Sequence, residues 1–357
     1  MPDSKRYRLL VVALHGIHLK NFLHRIESET SAIHVITSKE GASEYPETIV
    51  DFSYRNPMNL WNTPNQIRSI CKSFKPDIVH SQQLNSVSFY TMLALRQIKI
   101  PFVATAWGSD VLVNSASKGL LYWILRKILR TADGFTADSE EVARRMREIA
   151  GKDMIISVCN FGAQKPLVKR PKQKIIYSNR LHDPIYRIDK VIRAFWKFKN
   201  SVGGSDWKLI VAGSGSKTEE LKALSKELEL DASIDFQGWL GKEQNSENYA
   251  KSKVWISVPE SDATPISLLE AMYHGCFPVV ISLPSIREWV EDGVNGKLVT
   301  DVDSSFLGIE LNEIDEAVSL ANRELVEMRG SFAVATNCFS ELHRLIIKKS
   351  IHERERS

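Results

Sequence analysis

Two acidic residues eight positions apart, Asp262 and Glu270, flank the run Ala263-Thr264-Pro265-Ile266-Ser267. An apolar stretch, Val254–Val258 (V-W-I-S-V), leads into it, and S-L-L-E-A-M-Y-H (Ser267–His274) leads out with helical character. The pattern predicts a strand, a turn, and a helix that begins at the C-terminal edge of a sheet. Unpaired backbone N–H groups and the helix dipole attract phosphate at such a position, here around Thr264, Pro265, Ile266 and Ser267. Glu270 lies about one turn into the helix and reaches back toward its start. A carboxylate there suits ribose hydroxyls, while Asp262, on the turn, lies nearer the phosphate and sugar end. The chemistry is that of binding a nucleotide that carries a group on its phosphates.

The elements that must position these residues repeat along the chain. In the first half, Arg8–Leu14, Ile33–Thr37, Lys75–Ser81, Pro101–Asp110, Gly134–Ser139 and Met154–Val158 read as short strands separated by helical patterns. Pro76 breaks the helix before the third strand, and Asp138 or Ser139 can cap the helix after the fifth. The stretch Phe161–Lys174, with two prolines, five basic residues and little apolar periodicity, reads as a linker. The alternation restarts with Ile175–Asn179, Trp207–Gly213, Ser233–Gly238, Val254–Val258, Pro278–Ser282 and Gly296–Val299. Four to seven apolar residues per strand, with helices between, mean parallel α/β sheets. Such sheets bind ligands at the C-terminal ends of their strands.

Bulk properties agree with two domains in 357 residues of ordinary globular composition. A formal charge of +4 is too small to argue for nucleic acid. The charge is uneven: residues 1–165 carry 21 Lys+Arg and 15 Asp+Glu, a net of +6, which leaves −2 for the rest. A basic first half suits an acidic substrate or an anionic membrane surface, and chance asymmetry explains it equally well. The scattered cysteines Cys71, Cys159, Cys276 and Cys338 lack metal or redox spacing and are expected to be reduced thiols in a reducing compartment. The run Leu9–Leu14 is too short for a signal peptide, and no run is long enough to span a bilayer.

The segment Pro259–Gly275, followed by G-C-F-P-V-V-I-S (Gly275–Ser282) and R-E-W-V-E-D-G-V-N-G-K-L-V (Arg287–Val299), resembles the donor site of glycosyltransferase family 4, retaining enzymes of the GT-B fold. The resemblance covers nearly the whole chain. It is strongest from Tyr177 to Val299 and weaker before Lys75. Asp262 stands for the first Glu of the family's E-x7-E pattern, and Ala263 for a Gly. The fold it implies is α/β, with two Rossmann-like parallel-sheet domains facing a cleft. The expected division is 1–165 on the acceptor side, 166–330 for the nucleotide sugar, and 331–357 as a helix packing back toward the first domain.

The resemblance implies roles for further residues. Arg180 matches the Arg that, with a Lys about six residues on, holds the donor diphosphate. Tyr186 occupies the Lys position, so Arg187 is the favoured substitute and Lys190 the second choice, unless these are only surface charges of their helix. Gly213-Ser214-Gly215 matches a glycine turn at the cleft floor, although a plain tight turn is the more economical account. Phe236-Gln237-Gly238 matches a segment whose backbone meets the base; a strand end with a buried Phe is the plainer alternative. Trp107-Gly108-Ser109-Asp110 matches the H-G-x-D loop that faces donor sugar and acceptor, with Trp where His is usual. An indole offers one N–H and a stacking face, and Asp110 could orient a hydroxyl or simply cap a helix. Gly16, beside His15, permits close approach of sugar or acceptor; His15 reads equally as a core histidine.

The helix pattern Lys118–Arg130, basic with aromatic and aliphatic residues, fits a membrane interface or a core-facing helix with a solvated edge. Asp301-Val302-Asp303 reads as a solvated loop and not as a metal site. The expectation is a retaining, metal-independent transferase needing no cofactor beyond its nucleotide-sugar substrate. The acceptor is a glycan or a lipid-linked molecule in surface polysaccharide synthesis, and the setting is the cytoplasm, at the inner face of an anionic membrane. A nucleotide-sugar epimerase or phosphorylase of the same fold and a degenerate binding module without turnover are the alternatives.

Overall fold

Parallel strands joined by helices account for most of the chain in the computed structural model, which describes residues 6–112, 119–303 and 305–356. The chain divides at Phe161/Gly162 and again at Val334/Ala335 into two units. Unit 1 comprises 1–161 and 335–357, and unit 2 comprises 162–334.

Unit 1 holds a seven-stranded sheet in the order β3-β2-β1-β4-β5-β6-β7. Its strands are β1 (Tyr7–Val12), β2 (Thr30–Thr37), β3 (Glu47–Ile49), β4 (Ile78–Gln82), β5 (Phe102–Thr105), β6 (Gly134–Ala137) and β7 (Ile156–Val158), all paired in parallel. Alternate side chains supply the two faces. Leu10 and Val12 enter one core with helices Ser86–Leu95 and Leu120–Leu129, while Leu9 and Val11 meet helix Ile17–Ile26 and the last helix, Phe332–Glu355, on the other. Local signals terminate helices as expected: Ser139 caps Glu140–Ala150, and Lys75 takes a left-handed conformation ahead of Pro76. Edge strand β3 was not legible because three residues carry no period.

Unit 2 repeats the plan with six parallel strands in the order β10-β9-β8-β11-β12-β13. They are β8 (Gln173–Ser178), β9 (Lys208–Ala212), β10 (Ile234–Gly238), β11 (Ser252–Ser257), β12 (Phe277–Ile281) and β13 (Lys297–Val299). In each unit the strand order reverses beside the first strand, between β1 and β4 and between β8 and β11. Loops leaving these neighbouring strands run in opposite lateral directions and open a crevice at their C-terminal ends.

Two expectations are corrected. The stretch expected as a linker is folded into unit 2, where Ala163 donates its N–H to Gly330 and Lys172 donates to the Tyr249 carbonyl at 2.8 Å. Cys159 and Cys338 form a disulfide, with Cα atoms 6.0 Å apart, while Cys71 and Cys276 are buried free thiols. The pair is 179 residues apart in sequence, so only the return of the last helix onto unit 1 makes them neighbours.

Candidate functional site

Arg180 follows β8 and the Pro259–Pro265 loop follows β11, so the switch point of unit 2 brings them together. Nη2 of Arg180 donates to Oδ2 of Asp262 at 2.5 Å, and Nη1 donates to Oγ of Ser267 at 2.9 Å. The guanidinium lies 4.6 Å from the centroid of the Tyr186 ring. Tyr186, in the family's Lys position, therefore holds the Arg180 fork in plane. Burial pushes the Asp262 carboxyl up, outweighing the opposing pull of the Arg180 charge. Helix Ile266–Tyr273 starts at this point with Pro265 at its N-cap and no side chain capping it. Oγ1 of Thr264 and Nε of Arg180 are enclosed without a hydrogen-bond partner among the described residues.

Glu270 sits one turn along that helix. The Tyr249 hydroxyl donates to its Oε2 at 3.1 Å and receives Nδ2 of Asn179 at 2.7 Å. Asn179 in turn accepts the Trp255 indole N–H at 2.9 Å. A chain of side chains from the end of β8 (Asn179), helix Lys242–Lys251 (Tyr249) and β11 (Trp255) thus fixes the carboxylate. Arg187 pairs with Glu260 at 3.3 Å, and Glu260 donates its N–H to the Ile185 carbonyl, so this charge stands on the same rim. Lys190 is exposed on helix Ile188–Lys199.

The glycine loop is a tight turn packed against neighbouring backbone. A Cβ on Gly213, whose φ is +111°, would lie 2.4 Å from the Arg180 carbonyl oxygen, and one on Gly215 would lie 2.7 Å from the His182 backbone. The loop closes on the Arg180–His182 backbone and supports Arg180 from behind. Gly238 has φ +66° with nothing near its Cβ position, and its carbonyl accepts the Gly213 N–H at 2.6 Å. His182, which no sequence pattern marked, is buried in this contact; its Nδ1 meets the Thr218 hydroxyl at 3.0 Å, and burial lowers its pKa.

In unit 1 the expected sugar-facing residues lie at the C-terminal edge of the sheet, with their polar atoms engaged. The Trp107 indole N–H donates to Oε1 of Gln82 at 3.1 Å, so it is not offered to a ligand. Oδ2 of Asp110 accepts the Leu84 N–H at 2.7 Å and Oδ1 accepts the Trp107 N–H at 3.0 Å. Asp110 therefore ties two loops together, and burial pushes its pKa up to about 6 despite these bonds. Gly16 precedes helix Ile17–Ile26 with no atom within 4 Å of its Cβ position, and His15 is exposed. The His18 ring packs 4.2 Å from the Trp107 ring.

A sequence model of the family Glycosyl transferases group 1 matches residues 162–314, and one of Glycosyl transferase 4-like matches residues 9–139. The chain belongs to the group 1 glycosyltransferases. It is 24% identical over 271 residues to an alpha-monoglucosyldiacylglycerol synthase of Streptococcus pneumoniae, covering 69% of this chain and 61% of that protein. The chain thus spans about three-fifths of the length of that synthase. It is 23% identical to the sulfoquinovosyl transferase SQD2 of Arabidopsis thaliana, covering 93% of this chain and 72% of the relative. Among solved structures, Anabaena Alr3699/HepE in complex with UDP is similar with a TM-score of 0.80 at 14% identity, over 94% of this chain and 98% of that one. The sucrose-phosphate synthase of Thermosynechococcus elongatus is similar with a TM-score of 0.77 at 13% identity, over 96% and 100%. Both likenesses give the fold, which is GT-B.

Within this group 1 glycosyltransferase, Asp262, Ser267, Arg180 and Tyr186 form one contact group, and Glu270 is locked by its own network. Arg187 stands on the rim, Lys190 is exposed, and of the predicted glycines Gly213 and Gly215 pack against the Arg180–His182 backbone while Gly16 and Gly238 do not. Tyr249 and Asn179, which hold Glu270, were not anticipated; Asn179 stands at a strand end, and Tyr249, inside helix Lys242–Lys251, carried no sequence signal. Lys118 and the five residues before it lie outside the described residues. The helix that follows exposes Leu120, Leu121 and Trp123, with Arg126, Lys127 and Arg130 toward its end. Among the described residues no helix is long and apolar enough to cross a membrane, and no cluster of three His, Cys, Asp or Glu could hold a metal ion.

Proposed function

We propose that this protein is a retaining glycosyltransferase that takes a sugar from a uridine-diphosphate donor. The observation that carries this reading is the Arg180 fork, held by Asp262, Ser267 and Tyr186 at an uncapped helix start. A diphosphate set on this helix start would satisfy the enclosed Thr264 hydroxyl and the amides of Ile266 and Ser267. Arg180, with Arg187 on the rim, would stabilise the charge that develops on the leaving phosphate. Positive charge from the chain itself makes transfer independent of added metal, so activity is expected to survive EDTA. Glu270, pre-aligned by Tyr249, holds the ribose, and Asp262 holds the sugar edge. The UDP and UDP-glucose complexes of HepE support a uridine donor.

A lipid-linked acceptor at the cytoplasmic face of an anionic membrane fits the exposed Leu120, Leu121 and Trp123 beside Arg126 and Lys127, and the glycolipid-synthase relative supports it. The test is thermal shift with a panel of nucleotide sugars, since a bound ligand raises the midpoint by mass action. UDP-sugars are expected to raise it, and Glu270→Ala is expected to weaken that response without lowering the unliganded midpoint. A panel without any shift, or an unaltered response in Glu270→Ala, overturns the reading.

A further inference from the structure

Unit 2 holds a second cleft, of about 380 Å³, whose lining includes none of Arg180, Asp262 and Glu270. Small-molecule sites begin at roughly 300 Å³. The cleft lies between residues 165–170, helix Glu316–Arg329 and the C-terminal turn of helix Ile266–Tyr273. That last helix carries Glu270. Its eight residues make it about 12 Å long, so the cleft stands at the opposite end from the uncapped start.

The lining is basic. Arg170 pairs with Glu247 at 3.0 Å, and Lys165 lies 3.6 Å from Glu327. Arg323 and Lys169 line the same cleft and make no ion pair among the described residues, and Glu324 pairs with neither. Arg323 is only partly exposed. Its one hydrogen bond among the described residues runs from Nη2 to the His274 carbonyl at 3.3 Å. A Cβ on Gly275, whose φ is +77°, would lie 2.7 Å from that nitrogen, so the guanidinium is seated on the helix end because residue 275 has no side chain. A partly shielded guanidinium with further N–H donors and no carboxylate at hand is built to receive an anion. Val168, Tyr273 and Leu320 supply apolar surface in the same cleft.

We propose that this cleft is a regulatory site for an organic phosphate, with the phosphate on the Arg323 fork and Lys169 and an apolar body against Val168, Tyr273 and Leu320. An arginine fork takes two phosphate oxygens at once, and two unpaired cations match a dianionic head.

The cleft is linked to Glu270 within unit 2. Nδ1 of His274 donates to the Glu270 carbonyl at 2.8 Å, and the His274 ring lies 5.3 Å from the ring of Tyr249, whose hydroxyl holds the Glu270 carboxylate. Arg323 also puts positive charge at the C-terminal end of this helix, where the dipole favours it. A phosphate that recruits the guanidinium sets negative charge at that end and weakens the bond to His274. The turn that aligns Glu270 loosens. The organic phosphate and UDP therefore lower each other's affinity by the same factor, about fivefold or more. This coupling rests on the transferase reading above; the cleft itself does not.

Phenyl phosphate, inorganic phosphate and UDP are the probes, titrated by calorimetry into wild type, Arg323→Gln and Leu320→Trp. Leu320 is 51% exposed, so Trp there fills the cleft without entering the core. Wild type is expected to bind phenyl phosphate more tightly than inorganic phosphate. Both variants are expected to lose phenyl phosphate affinity by about tenfold or more. Leu320→Trp is expected to bind UDP within about twofold of wild type. Rising phenyl phosphate is expected to lower wild-type UDP affinity to a plateau and to leave Leu320→Trp unaffected; a probe competing at Arg180 gives no plateau. The site is overturned by a lack of saturable phenyl phosphate binding, by unchanged binding in either variant, by equally tight inorganic phosphate, or by competition without a plateau. UDP affinity that stays constant with phenyl phosphate bound overturns the coupling alone. If wild type binds no UDP, the transferase reading falls, and the phenyl phosphate titrations still decide the cleft.

Discussion

Removal of Arg180 separates its structural from its binding contribution. Its side chain is 10% exposed and that of Asp262 is 19%, so the pair is largely shielded from solvent. Arg180→Ala leaves Asp262 buried without its cation, a change that costs about 3–5 kcal/mol. In a domain of this size the lower end of that range corresponds to a midpoint drop of roughly 6–12 °C. Adding Asp262→Asn removes the orphaned charge, so the double variant is expected to melt above Arg180→Ala alone, with a coupling of about 1–3 kcal/mol. The sign with pH is set. The Asp262 pKa is already raised by burial, and without Arg180 it rises further. A carboxyl whose folded pKa lies above its unfolded value favours the fold at low pH and disfavours it once pH passes the folded pKa. Arg180→Ala is therefore less defective at pH 5 than at pH 8. For UDP, loss of a charge-assisted contact worth about 1.5–3 kcal/mol lowers affinity by about 10- to 150-fold, whereas Asp262→Asn leaves UDP affinity within about threefold. The assays are calorimetric melting and UDP titration. Wild-type UDP affinity in Arg180→Ala, or a double variant less stable than either single, refutes the reasoning.

Three further outcomes follow from the packing. Gly213→Ala, which forces a Cβ to within 2.4 Å of the Arg180 carbonyl at φ +111°, should cost about 2 kcal/mol or more and weaken UDP binding. Gly238→Ala, with φ +66° and no atom near, should cost only about 1 kcal/mol; equal melting of the two would count against the loop contact. In unit 1, Asp110 (raised to about 6) favours the fold as pH falls from 6 toward 4, by about 3 kcal/mol at most, while His343 (lowered to about 3) opposes it below pH 6.5. Asp110→Asn should therefore steepen acid destabilisation and His343→Gln should flatten it, read as urea midpoints from pH 4 to 7.5. Reducing Cys159–Cys338 should cost roughly 2–5 kcal/mol; unchanged melting with and without dithiothreitol would show that the bond contributes nothing.

The sequence determined the architecture because parallel strands buried on both faces are written as short apolar runs. Twelve such runs, split by helical patterns, were enough to name two parallel α/β units. It also determined the candidate site segment, since Asp262, Ser267 and Glu270 are local to one strand–turn–helix. Tertiary structure decided everything that depends on partners far along the chain. The Trp107 N–H went to Gln82, the Asp110 carboxylate to Leu84 and Trp107, and the Gly213 turn to the back of Arg180. Tyr249 was brought to Glu270 and Cys338 to Cys159 by the same means. Periodicity reports which face of an element is buried. Which polar atoms remain unbonded for a ligand depends on the neighbours that folding brings against them.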